Sequence, residues 1–345
     1  MENILAIGNA ICDIIFQVEE NVLEQFSLPK GGMVLFDKRQ CSALLEYLKN
    51  HNNIFTITSG GSAANTLNFL SQYGLNSRFI CNIADGYYGT KYLTEMQNKQ
   101  IKLYNTHVKD QGETAKSIIL VTPDGERTMC TYLGCASEIN IDLAEENYIT
   151  SGTFFYIEGY LWDRLMTKQA ITSLINLVHL KGGKVALSLS DSFCVTRHLV
   201  EFSALVQEKI DILFANEAEI LALYKLNSLS SENLHLLQAK VRESNLNLMI
   251  ITRGKQGSII ISKQEIATID TIAKEAVDST GAGDAFAAGF IYGYISGFSN
   301  INAAHIGNNL AGQVVSYIGA RPEITLPKNI DEIEYINEIK AAKIS

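Results

Sequence analysis

Residues 277–290 read VDSTGAGDAFAAGF: three small residues, Gly281, Ala282 and Gly283, run into Asp284 where a helical pattern begins. Small side chains ahead of a helix leave its first backbone N–H groups open. With the positive end of the helix dipole, those groups suit a phosphate or a developing oxyanion. An aspartate at that point could take a proton from a hydroxyl held beside the anion. It could equally cap the helix, and spacing alone does not decide. Two other phosphate-binding patterns are excluded. GAGDAF has Phe286 where a dinucleotide fingerprint needs a small residue and comes late in the chain, and no GxxxxGK[ST] occurs.

Further polar positions sit at the ends of apolar runs. Asn216 and Glu219 follow ILFA; three apart, they share a face of a first helical turn or form an ordinary capping box. Thr252, Arg253 and Gly254 follow LMII, where a strand-ending turn is the simplest reading. Asp13 lies shortly after the first apolar run, and a carboxylate can accept hydrogen bonds from two hydroxyls. In GGSAAN, Gly60 and Gly61 would let backbone approach a ligand closely.

These residues need a scaffold. ILAIG (4–8) reads as a buried strand closed by glycine, and residues 63–73 carry apolar positions at helical spacing with Gly74 as a stop. SIILVTPDGERTMCTYL (117–133) reads as a hairpin turning at Asp124-Gly125. From residue 153 onward, the apolar runs TFFYIEG, KVALSLS, ILFAN, LMIITRG and SIIIS alternate mostly with stretches long enough for crossover helices. That alternation predicts an α/β fold with a mostly parallel, doubly wound sheet flanked by helices. Late helices are expected over 284–296 and about 302–318. The segments near 12–37 and 104–133 are expected to form a small sheet beside the main body, a natural lid of approximately 12–40 and 104–133. No Pro/Ser-rich linker divides the chain, so residues 1–345 are read as one domain with that lid.

Bulk properties narrow the partners. The chain has 345 residues, 47% of them hydrophobic, enough for a large core. A net charge of −9 offers no general attraction to nucleic acid or anionic lipid, so a small-molecule partner is expected. The six cysteines show no CxxC pair and no histidine at metal-ligand spacing, as expected of reduced, buried thiols. MENILAIGNAICD lacks a basic leader and a cleavage site, and its apolar run is too short to span a bilayer, so a cytoplasmic location is expected.

Four motifs in order, GGSAAN (60–65), NEAE (216–219), TRGKQG (252–257) and DSTGAGDAF (278–286), closely resemble those of the ribokinase-like (PfkB) carbohydrate and nucleoside kinases. The resemblance implies ATP as phosphoryl donor, Asp284 as base, and the amides of Gly281, Ala282, Gly283 and Asp284 as an anion hole. It implies that Asn216 and Glu219 order water around Mg²⁺. Thr252, Arg253, Gly254, Gly257 and Asn308 would line the nucleotide, and a monovalent cation such as K⁺ would sit near Asp278 and Thr280.

For the acceptor, the resemblance implies Asn9, Ile11, Asp13, Gly60, Gly61, Ser62 and Asn65, with Arg127 reaching the phosphate from the lid. GNAICD, LSLSDSFCV and VVSYIGARP are most similar to the adenosine-kinase-like branch, where Phe193 would stack on the base and Tyr160 and Leu161 would wall it. Met33 stands where eukaryotic members of that branch carry a glutamine that contacts the nucleoside. The implied activity is phosphorylation of a primary hydroxyl, the 5′-OH of adenosine or a related purine nucleoside first. A sugar kinase and a catalytically silent nucleotide- or sugar-binding protein remain as alternatives. The resemblance leaves monomer and homodimer open.

Overall fold

In the computed structural model, the described residues are 3–51, 55–105, 112–141, 148–271, 276–328 and 331. The strands, in chain order, are β1 (Asn3–Ile7), β2 (Ile11–Gln17), β3 (Met33–Leu35), β4 (Phe55–Gly60), β5 (Asn76–Cys81), β6 (Lys102–Asn105) and β7 (Ala115–Val121). They continue as β8 (Arg127–Tyr132), β9 (Thr153–Glu158), β10 (Lys184–Ser188), β11 (Ile212–Asn216), β12 (Leu248–Thr252), β13 (Ser258–Ser262) and β14 (Ile266–Ile269).

Nine of them form one sheet in the order β14-β13-β12-β11-β10-β9-β1-β5-β6. The ladder is parallel from β6 to β12, and β13 and β14 add an antiparallel edge. Alternate side chains divide between two cores. Ile4, Ala6, Phe154 and Tyr156 face the helices Ser62–Gln72, Ala282–Ile295 and Asn300–Val314. Leu5, Ile7, Phe155 and Ile157 face the helices Leu165–Leu180, Leu199–Glu208 and Ser231–Arg242. With both faces covered, each strand must be apolar throughout, which is why these segments read as unbroken runs.

The chain runs outward from β1 to β5 and β6, then returns to place β9 on the other side of β1. The order therefore reverses between β1 and β9. Beyond the carboxyl ends of those two strands opens the crevice where doubly wound sheets bind ligands.

A second sheet has the order β3-β8-β7-β2-β4. Its Ile14, Phe16, Ile118 and Leu120 pack on Leu44, Leu45 and Leu48 of the helix Lys38–His51. Strand register puts Asp13, Ser117 and Thr131 in one row of the opposite face, with Ile15, Ile119, Met129 and Met33 in the next. The expected segments near 12–37 and 104–133 contribute β2, β3, β7 and β8 to this sheet. Phe55–Gly60 joins as a fifth strand unexpected from its sequence, and Lys102–Asn105 pairs with the large sheet instead. Residues 106–111 of the expected lid lie outside the described residues.

The last long helix ends at Val314 rather than near 318. The Val315 carbonyl accepts the N–H groups of Val277 and Asp278, and Gly319 donates its own to Asp278, so residues after 314 leave the helix to frame the glycine loop. Among the described residues no helix is long and apolar enough to cross a membrane. All six cysteines are free and buried.

Candidate active site

At the crevice, Glu158 ends β9 and is almost fully buried. Its carboxylate accepts from the Ala63 amide at 3.0 Å, the Asn9 side-chain amide at 2.9 Å and the Asn9 backbone N–H at 3.3 Å. One side chain thus ties the turn after β1, the end of β9 and the start of the helix Ser62–Gln72. Burial pushes its pKa up to about 7 against the pull of those hydrogen bonds. Asn9 is therefore a strut of the crevice, although its side-chain oxygen is buried without a hydrogen-bond partner.

The GGSAAN segment leads β4 into that helix. Gly61 has φ +98°, and a Cβ there would lie 2.1 Å from the Asn9 carbonyl oxygen, so only glycine fits. Gly60 pairs with Ile11 in the ladder, and a Cβ on it would lie 2.2 Å from the Asp13 carboxylate. Asp13 has its pKa raised to about 7 by burial, opposed by the charges of Arg321 and Arg127.

Ser62 and Asn65, one helical turn apart, both reach Asp284. Ser62 Oγ donates to one carboxylate oxygen at 2.6 Å and Asn65 Nδ2 to the other at 2.8 Å. Ser62 and Asn65, two of the polar groups expected to meet the acceptor, are thus engaged with Asp284. Burial raises the Asp284 pKa, while these two donors and the Arg321 charge pull it down. Asp284 is not the helix cap: Gly281 holds that position with φ +77° and no side-chain cap bond is made. A Cβ on Gly281 would lie 2.7 Å from Ala320, whereas one on Gly283 would meet open space.

Ala282 and Gly283 line a cavity of about 270 Å³ together with Thr252, Gly254, Gly257 and Asn308. Three segments far apart in sequence, 252–257, 271–286 and 308–315, therefore converge on one void at a helix start, with Phe286 and Gly312 completing its apolar wall. Asn308 also donates to the carbonyls of Ile269 and Asp270, fastening its helix to the end of β14. Arg253 lies outside this lining and donates to Glu217 at 3.2 Å.

Asn216 and Glu219 form a complete capping box: each side chain accepts the other's backbone N–H at 2.9 Å. Burial lifts the Glu219 pKa to about 7. Among the described residues no group of three or more metal-ligating side chains occurs. This donor set fits Mg²⁺ held by phosphates and waters beside the box better than a protein cage.

Arg127 crosses from the small sheet to Asp278, with NH1 2.7 Å from the carboxylate and 3.2 Å from Thr280 Oγ1. The Asp278 carboxylate also accepts from the backbone N–H groups of Thr280 and Gly319. A guanidinium already neutralises it, so these two side chains do not fit the implied monovalent cation.

The turn Gly159–Asp163, which carries Tyr160 and Leu161, packs against the short helix Ser192–Arg197, which carries Phe193. Leu161 is fully buried in the core, Tyr160 is half-buried, and Phe193 is 78% exposed on a short helix capped by Asp191. Ile11, half-buried, opens β2 beside Gly60, and Met33 stands 46% exposed on the edge strand β3. Glu158 and Arg321 had not been singled out in the sequence. Their only signals were an acid ending an otherwise apolar run and an arginine in VVSYIGARP.

Residues 33–328 match the pfkB family of carbohydrate kinases. The adenosine kinase from Sinorhizobium meliloti is 34% identical, superposes with a TM-score of 0.82 and is covered over 97% of its chain by 94% of this one. A probable sugar kinase from Rhizobium etli CFN 42 is 33% identical with a TM-score of 0.83 and 98% coverage of both chains. An adenosine kinase from Schizophyllum commune is 24% identical over 94% of this chain and 97% of its own length. The four motifs, the doubly wound sheet with its small second sheet and these matches agree: the chain belongs to the pfkB family of carbohydrate kinases.

Proposed function

We propose that the protein transfers the terminal phosphoryl group of ATP to the primary hydroxyl of a nucleoside, with adenosine the first candidate. One observation carries this reading. Asp284 joins two compartments, its own helix start opening on the 270 Å³ cavity while its carboxylate is held by the helix that follows Gly60 and Asp13. ATP enters the cavity with its terminal phosphate at the amides of Gly281 to Asp284. The acceptor lies against Asp13 and Gly60, its reacting hydroxyl displacing Ser62 from Asp284. As the hydroxyl oxygen bonds to phosphorus, its proton passes to Asp284 and the bond to ADP breaks. Asn216 and Glu219 would order water around Mg²⁺, and the ion would supply charge neutralisation at the phosphates. The small sheet is the lid, and Arg127 fastens it over the reacting phosphate.

A simple-sugar acceptor is the second reading, supported by the 33% identity to the probable sugar kinase from Rhizobium etli CFN 42. A phosphorylation screen with ATP·Mg²⁺ against nucleosides and simple sugars separates the two. Adenosine is expected to give the highest kcat/KM. Fructose or ribose clearly outrunning it would overturn the nucleoside assignment.

A further inference from the structure

Arg321 follows the last long helix and reaches Asn65 and Glu95 on the helices Ser62–Gln72 and Tyr87–Asn98, its side chain 11% exposed. Its Nε donates to Asn65 Oδ1 at 2.8 Å. A guanidinium only donates and an ionised carboxylate only accepts. The Asn65 amide between them can therefore take one orientation, oxygen toward Arg321 and NH₂ toward Asp284. NH1 lies 3.5 Å from Glu95 as an ion pair, and neither NH1 nor NH2 has a hydrogen-bond partner although both are buried. Buried donors left unmatched are costly, so a purely structural arginine is poorly explained here. Its charge favours the ionised form of both Asp13 and Asp284.

We infer that Arg321 is a positioning residue for phosphoryl transfer, orienting Asn65 so that the Asp284 carboxylate is held for proton abstraction. The inference rests on Asp284 being the base. Around Asp284 the other groups are Ser62 and Asn65 on their shared helix, Glu158 at the end of β9, and Tyr156 and Tyr160, whose phenols feel its charge. Around Asp13 they are Arg127, Glu95 and the neighbouring Cys12 thiol, which feels its charge. Arg321 is the cation shared by both sets.

The test is the pH profile of kcat in the full-length protein. In Arg321→Met the acidic limb should move up by about one pH unit or more, the usual effect of removing a cation beside a carboxylate. Its kcat at neutral pH should fall at least about tenfold, while ATP affinity is unchanged. Arg321→Lys, which keeps the charge, should restore the limb. Glu95→Gln, which removes the competing anion, should move it down and serves if Arg321→Met does not fold. An unmoved limb in folded Arg321→Met, or in Glu95→Gln, overturns the inference. Full activity of Asp284→Asn would instead overturn the base assignment, so the two failures are distinct.

Discussion

Gly60→Ala probes the acceptor compartment at one carbon atom. The glycine lies outside the positive-φ positions, so alanine is compatible with its strand backbone. The added Cβ would lie 2.2, 2.6 and 2.7 Å from Asp13 Oδ2, Cγ and Oδ1, closer than the 3.0 Å below which real Cβ contacts essentially never occur. The carboxylate must withdraw by about 1 Å, a displacement that can cost about 10²-fold when it misplaces a binding group. Acceptor kcat/KM should therefore fall about 10- to 100-fold, or about 1.4–2.7 kcal/mol. The ATP dissociation constant should not move, because the cavity beside Gly283 does not include this pair. Steady-state kinetics at saturating ATP, with calorimetric nucleotide titration as control, read both quantities. In an Asp13→Ala background there is no carboxylate to displace, and Gly60→Ala should add less than about threefold. A folded Gly60→Ala with unchanged acceptor kcat/KM, or an equal penalty in both backgrounds, would refute the contact.

Two further outcomes follow from the same geometry. Asp13, raised to about 7, is protonated below that pH and then loses capacity to accept from two hydroxyls. The acceptor KM should therefore fall as pH rises through about 7, and Asp13→Asn should flatten the dependence; a pH-independent KM in the unmodified protein would contradict it. Arg127→Ala removes a buried ion pair between the small sheet and the glycine loop, leaving the Asp278 charge uncompensated at a cost of about 3 kcal/mol. Calorimetry should show a lower melting temperature and kinetics a higher acceptor KM, whereas no change in either would mean that this tie holds nothing.

The architecture was legible because strands covered on both faces must be apolar throughout, as in TFFYIE and LMIIT. FTITSG escaped as a strand because it borders the small sheet, where exposed and polar positions dilute the pattern, and its partner is β2, more than forty residues earlier in sequence. Asp284 was ambiguous for a definite reason. Local sequence allows Asp284 to cap the helix, and what removes that reading is Gly281 at the cap position and a hydrogen bond that engages Asp284 with Ser62, 222 positions away. Glu158 and Arg321 were missed likewise, since their partners Ala63 and Asn65 lie 95 and 256 positions distant.

The central claim is that Asp284 removes the acceptor's proton while the helix start beside it binds the phosphate. Asp284→Asn keeps the side-chain size and a hydrogen bond from Ser62 but cannot take a proton. With the acceptor identified by the screen, single-turnover phosphorylation by this variant should be at least about 10²- to 10⁴-fold slower, with ATP affinity within about threefold of the unmodified protein's. A near-normal rate at normal ATP affinity would contradict the account.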